Sequence, residues 1–324
     1  MTKEELHAYI ADSAILGRWH YFGYHFRFHH RGEIQPFADS LVAALLTCDD
    51  AVPGFAKGMV DALAAISGRP DWDPHYWQLM QRLAEILVCR RLVECYPEAE
   101  IEWEDLAPRR RAAKKSPDFL VRLGDRTIGI EVKAPDLGAH RRTRNKNLMQ
   151  LSERGILHSD HARGLQDVTL PRDNPVKDFL ISAQAKFEVE RGAGHGQLET
   201  LLVIVWDSYA YEAITALIGP TSGLLTDKSF ARTADGKPLT FDAIGGVLVT
   251  QHLSVFITEA AEKSIPTSAT HAFDYGRPGA EPHKVFIPNA AGLAPDTRLL
   301  ECLQAIDPIP GTELGPVEFV QWLE

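Results

Sequence analysis

The stretch Ser116-Pro-Asp-Phe-Leu-Val-Arg-Leu-Gly-Asp-Arg-Thr-Ile-Gly-Ile-Glu-Val-Lys-Ala-Pro135 decides the fold. Phe119 to Leu123 and Thr127 to Val132 are rich in β-branched, aromatic and aliphatic residues, and Gly124-Asp125 between them has the chemistry of a two-residue hairpin turn. With those two as the loop, Leu123 pairs with Arg126, Val121 with Ile128 and Phe119 with Ile130, which sets Asp118 opposite Glu131.

Opposed residues share a face with Cβ atoms roughly 4.5 to 5.5 Å apart, so two carboxylates placed there repel unless something positive lies between them. A divalent cation is the simplest remedy. Alternation along the strand puts Lys133 on that same face and sends Ile128, Ile130 and Val132 to the other, the expected core side.

On Pro117-Asp118 and Glu131-Val132-Lys133 the chain resembles the PD-(D/E)xK nuclease superfamily, over roughly residues 74 to 260. The resemblance implies a restriction-endonuclease-like core and hydrolysis of phosphodiesters, most readily in DNA. It implies Mg2+, with Mn2+ able to substitute, held by Asp118, Glu131 and the Val132 carbonyl, with Lys133 beside them. It also implies an acid from the preceding helix, where Glu85 matches and Glu94 is the fallback, and a polar group from the following helix. There Gln184 and Lys186 stand two apart and face different ways; Gln184 is the expected contributor. A nucleic-acid-holding subunit that does not cleave, and a toxin-like ribonuclease, are the competing readings.

Glu85 also stands out on its own terms. It sits inside Leu83-Ala-Glu-Ile-Leu-Val88, where burying a carboxylate costs several kcal/mol unless it is paired or metal-bound. The plainer reading is a rim Glu paired with Arg82.

The formal net charge of -10 argues against a polyanionic partner, but the distribution reverses that inference. From Arg109 to Lys146 twelve Lys or Arg face four Asp or Glu, a local balance of +8 that leaves -18 elsewhere. Arg109, Arg110, Arg111, Lys114 and Lys115 precede the hairpin, and Arg141, Arg142, Arg144 and Lys146 follow it. These nine are the candidate phosphate contacts, against the alternative of a merely solvated basic face.

Residues 1–72 read as an N-terminal helical subdomain, 73–265 as the α/β core with a mixed sheet flanked by helices, and 266–324 as an accessory segment packing on the core. Helices are expected over Lys3 to Leu16, Pro36 to Thr47, Pro53 to Ser67, Asp73-capped to Cys95, Asn174 to Glu190, Tyr209 to Ile218 and Thr297 to Ala305. Strands are expected at Leu201 to Trp206, Gly245 to Ile257 and Lys284 to Ile287. The polar stretch 136–173 reads as a long functional loop or lid, with a short helix expected around Asn145 to Arg154, and carries His140, His158 and His161.

Arg18 to Arg31 is aromatic, basic and histidine-rich. It suits packing on the core, stacking on bases, or a His25/His29 metal pair at helical spacing. Cys48, Cys89, Cys95 and Cys302 form no C-x-x-C pair and read as small hydrophobes in a reducing compartment. No apolar run approaches the roughly 18 residues of a membrane span and no signal-type segment opens the chain, so a cytoplasmic protein is expected. A homodimer or a partner from the same system remains open. No G-x-S-x-G elbow or G-x-x-x-x-G-K-[ST] loop occurs, which disfavours a serine hydrolase or an ATP-driven step.

Overall fold

The computed structural model describes residues 1–30, 32, 35–66, 75–106, 116–147, 149–150, 168–193 and 198–308. Asp73, His158, His161 and the basic residues Arg109, Arg110, Arg111, Lys114 and Lys115 lie outside these residues, as does the His29 side chain.

The hairpin forms in the expected register. Strand β2 (Phe119–Leu123) pairs antiparallel with β3 (Arg126–Lys133), matching Phe119 to Ile130 and Leu123 to Arg126. Gly124 takes φ 63° and Asp125 has no positive φ, the II′ pattern that suits the right-handed twist of the strands. Ahead of the hairpin, Glu100-Ile-Glu-Trp103 adds a strand that the reading above missed, β1 (Glu100–Trp103), antiparallel to β2.

Further along the chain come two short strands, β4 (Met149–Gln150) and β5 (Val168–Thr169), which pair with each other apart from the main sheet. The strand β6 (Leu198–Val205) is buried along its whole length and runs parallel to both β3 and β7 (Gly246–Thr250). Such a continuous apolar run is what a parallel strand covered on both faces requires. The edge strand β8 (Lys284–Pro288) closes the sheet antiparallel to β7, giving the order β1-β2-β3-β6-β7-β8. The fold class is thus α/β, a mixed six-stranded sheet with helices.

Two expectations are corrected. Gly245 to Ile257 is not one strand: β7 stops at Thr250, and Leu253–Ala260 is a helix. In the stretch 136–173 a helix lies earlier than the expected Asn145 to Arg154: Leu137–Arg144 is a helix whose N-terminus Asp136 caps, accepting from the Ala139 N–H at 2.7 Å, and residues 151–154 lie outside the described residues. Residues 266–308 are also part of the sheet architecture, because they supply β8.

The N-terminal helices, α1 (Lys3–Asp12), α2 (Ala14–Gly17), α3 (Gly23–His30), α4 (Pro36–Ala51) and α5 (Phe55–Ala65), share one continuous core with the sheet. Ser13 splits the first expected helix in two: its backbone is extended and its side chain caps α2 by accepting from the Ile15 N–H at 3.1 Å. The long helix α6 (Tyr76–Cys95) lies between those helices and the sheet. Later helices, in order, are α7 (Leu137–Arg144), α8 (Pro175–Gly192), α9 (Ala210–Ile218), α10 (Leu253–Ala260) and α11 (Thr297–Cys302). Among the described residues no helix is long and apolar enough to cross a membrane.

Both faces of β3 are covered. Ile128, Ile130 and Val132 enter the core, each contributing about 1.5–3 kcal/mol of apolar burial. The other face meets α8: a Cβ on Gly129 would come within 3.3 Å of the Phe187 ring. The acidic face of the hairpin is therefore roofed by a helix, and its charges are taken out of water.

Because an L-residue in the left-handed region costs ~1–2 kcal/mol, and the space beside Gly124 is open, Gly124→Ala is expected to lose about that much folding stability with the fold retained. A urea midpoint unchanged from wild type would contradict the positive-φ turn.

Candidate active site

The ladder between β2 and β3 ends at Phe119 and Ile130, so Val132, in register with Val203 of β6 on one side, has no partner on β2 on the other. Two side chains replace it. The Asp118 carboxylate accepts from the Val132 N–H at 2.7 Å, and the Gln81 amide of α6 donates to the Val132 carbonyl at 2.8 Å while accepting from the Ala134 N–H at 2.8 Å. Gln81 thus clamps the end of β3 to α6, and the Val132 carbonyl, expected as a free metal ligand, is already engaged.

Asp118 and Glu131 do come together, around a lysine. Lys186 of α8 places its Nζ 2.9 Å from Glu131, 3.5 Å from Asp118 Oδ1 and 3.6 Å from Glu104 Oε2. Glu104 follows β1 directly and is held there because its N–H donates to the Asp118 carbonyl at 2.9 Å. Lys133 lies on the expected face, its Nζ 2.6 Å from Glu131 Oε1. The cation that the opposed carboxylates demand is, in this structure, an ammonium from the helix above.

Glu85 is buried at 3% exposure, beside this cluster. It accepts from Arg82 at 2.7 Å and from Gln81 at 3.1 Å, and Arg82 also pairs with Asp105 at 2.9 Å. Gln81 links it to the end of β3, and the charge of Asp118 acts on it directly. Glu94, the fallback, pairs with Arg90 at the other end of α6 and has no part in the cluster.

Gln184 is not brought to the site. It donates to Glu188 and Asp242 and accepts from the Ala243 N–H. Gln184 and Lys186 flank the buried stripe Val176, Leu180, Ala183, Phe187 on opposite sides, so α8 sends one to each edge. The signal that would have chosen Lys186 is charge: two facing carboxylates need a cation, and only one of the two residues carries one.

Desolvation governs the electrostatics. Burial pushes the Glu131 carboxyl up to about 7, Asp118 pushes the same way, and Lys133 with Lys186 offset only part of it. Burial likewise raises Glu85 to about 7, against the pull of Arg82, and the Asp118 charge adds to the rise. For Lys186 burial favours the neutral amine, but Asp118, Glu131 and Glu104 outweigh it and its pKa is raised.

The donor chemistry suits a hard divalent ion: carboxylates from Asp118, Glu131 and Glu104 converge on one point. Their oxygens stand at ammonium distances from that point, wider than the roughly 2.0–2.1 Å of Mg2+ ligands. Among the described residues no group of three or more His, Cys, Asp or Glu is drawn together as a metal-holding set. An ion at this position must take the place of the Lys186 ammonium.

The basic helix α7 starts four residues after Lys133 and carries Arg141, Arg142 and Arg144, with Lys146 exposed just beyond it. It packs on the start of α6, where Gly138 lies so close to the Trp77 indole nitrogen that a Cβ would come to 2.2 Å. Arg142 is held by Asp136 at 3.4 Å. His140 meets the Leu170 carbonyl at 3.0 Å and is not part of the cluster.

In the stretch from Arg18, Phe22, His25 and Phe26 are buried, and burial lowers the His25 pKa, which favours packing as a neutral ring against Phe37. Trp19 and Tyr24 are half exposed. Trp19, Tyr21, Tyr76 and Trp77 form a run of neighbouring rings 5.2 to 5.4 Å apart that ends one helical turn before Gln81.

No family model matches this chain, and no curated protein or solved structure matches it.

A carboxyl whose folded pKa lies above its unfolded value contributes stability below the unfolded pKa and loses it as pH rises through the folded one. For Glu131 the window is pH 4.5 to about 7. In EDTA, the melting temperature of Glu131→Gln relative to wild type is expected to improve from pH 5 to pH 8. The opposite trend would contradict a desolvated Glu131 that its two lysines offset only in part. Lys186→Gln is expected to enlarge the thermal stabilisation given by millimolar Mg2+ or Mn2+; an unchanged shift would show that the lysine does not hold the cation position.

Proposed function

We propose that this protein is a metal-dependent nuclease that hydrolyses phosphodiester bonds, most readily in DNA, built in the manner of the PD-(D/E)xK superfamily. The observation that carries this reading is the convergence of Asp118, Glu131 and Glu104 on a single cationic position beside Lys133. Mg2+ or Mn2+ held there by Asp118 and Glu131 would supply charge neutralisation at a phosphodiester and acidification of a water.

The protein's own groups do the rest. Lys133, anchored to Glu131, is placed to orient a water or to hold negative charge that develops on the phosphoryl oxygens. Lys186, freed from the carboxylates, is a second ammonium for the same charge. Gln81 fixes the end of β3 so that these side chains keep their mutual geometry. Glu85 accepts from Gln81 and is itself paired with Arg82. The arginines of α7 with Lys146, and the basic run before the hairpin, suit the phosphates on either side of the scissile bond.

Asp118→Ala and Lys133→Ala are each expected to lower Mg2+-dependent cleavage of plasmid or linear DNA by at least about 10²-fold while circular dichroism stays near wild type. Wild-type cleavage that survives EDTA would defeat the metal reading. Parallel assays on RNA of the same sequence separate a ribonuclease from a deoxyribonuclease.

One observation favours a second reading, a subunit that holds nucleic acid without cutting it: Lys186 already fills the cation position. DNA retention that is indifferent to metal, falls steeply with salt and is never followed by cleavage would select that reading.

A further inference from the structure

Two cysteines far apart in sequence meet at the C-terminal end of α6. The Cys95 Sγ lies 3.6 Å from the Cys302 carbonyl oxygen, and the Cys302 Sγ lies 3.9 Å from the Arg91 carbonyl oxygen. Cys95 is half-buried and Cys302 is buried. Two guanidinium groups lie close by: the Arg91 Nε donates to the Cys302 carbonyl at 2.5 Å and its side chain pairs with Glu94 at 3.6 Å, while the Arg298 guanidinium sits 5.0 Å over the neighbouring Tyr96 ring and pairs with Glu98 at 2.7 Å.

We infer that Cys95 and Cys302 are a redox pair that hydroperoxides convert to a disulfide, stapling α6 to α11. A partly accessible thiol packed directly against a second cysteine, with guanidinium groups nearby, is an arrangement that peroxide oxidation selects. Cys95 is the more exposed of the two, which makes it the attacking sulfur and Cys302 the resolving one. Cys302, with help from Arg91 and Arg298 and against burial and Glu94, lowers the Cys95 pKa, whereas Cys95 and burial raise that of Cys302. The Cys95 thiolate takes the distal oxygen of the peroxide, cleaving the O–O bond and releasing water or an alcohol, and leaves a sulfenic acid. The Cys302 thiol then attacks that sulfur, forming the S–S bond and releasing water. Two electrons pass from the thiols to the peroxide, and a thiol reductant reverses the step.

The linked residues are 207 positions apart, so the bond closes a very long loop in the unfolded chain and raises stability. It also fixes the helix that carries Gln81 and Glu85. Cys48 and Cys89 differ, since both are buried away from solvent.

The test uses the full reduced chain, treated with hydrogen peroxide, alkylated and mapped by mass spectrometry, and needs no nuclease assay. The expected product is a Cys95–Cys302 crosslink reversed by dithiothreitol, in a chain that melts several degrees above the reduced form. Cys302→Ser should stop at a sulfenic acid on Cys95 that dimedone traps, and Cys95→Ser should give neither product. No crosslink, a crosslink through Cys48 or Cys89, or a dimedone adduct on Cys302 in place of Cys95 overturns the inference.

Discussion

The structure depends on how two carboxylates are kept side by side out of water. Asp118 ends the lead-in to β2 and Glu131 stands near the end of β3, and the Gly124-Asp125 turn leaves them no choice but to meet. Glu131 is fully buried, so their repulsion is not screened by solvent. Lys186 from above and Lys133 from the same strand offset it. An arrangement built for stability alone would place apolar side chains here, because a buried ionic cluster is often no more stable than a hydrophobic one of the same volume. Its retention is the physical reason to look for chemistry at this point.

The surrounding scaffold follows from the same constraint. Parallel strands β3, β6 and β7 need cover on both faces, and α6 with α8 provide it at β3. Each covering helix then delivers what its face of the strand lacks. From α6, Gln81 supplies the hydrogen bonds that β2 no longer reaches. From α8, Lys186 supplies the charge. The N-terminal helices pack behind α6 and hold it in place, which is how residues far from the hairpin contribute to the position of its side chains.

The hairpin was legible because a two-residue turn transmits register without help from the rest of the chain. The buried strand β6 was legible because a continuous apolar run bounded by polar residues has few other uses. The reading failed where tertiary partners decide. In Gly246 to Ile257 apolar residues continue through a strand and into a helix, and only Gln251-His252 marks the break. Strand β1 is only four residues long, with two glutamates among them, and it takes β2 to offer it a partner. Gln184 and Lys186 differ only in phase around a helix, so the position of α8 over the sheet had to be known before either could be placed. The nearness of Cys95 to Cys302 left no trace in spacing, since it arises from the packing of the first long helix against the last described one.

The central claim is that the point now held by Lys186 is a cation site formed by Asp118 and Glu131. Crystals of the wild-type protein soaked in Mn2+ test this most directly, through anomalous diffraction. The account predicts an anomalous peak between the Asp118 and Glu131 carboxylates, with the Lys186 ammonium moved off them. Density with Lys186 still seated on both carboxylates and no Mn2+ bound between them would contradict it.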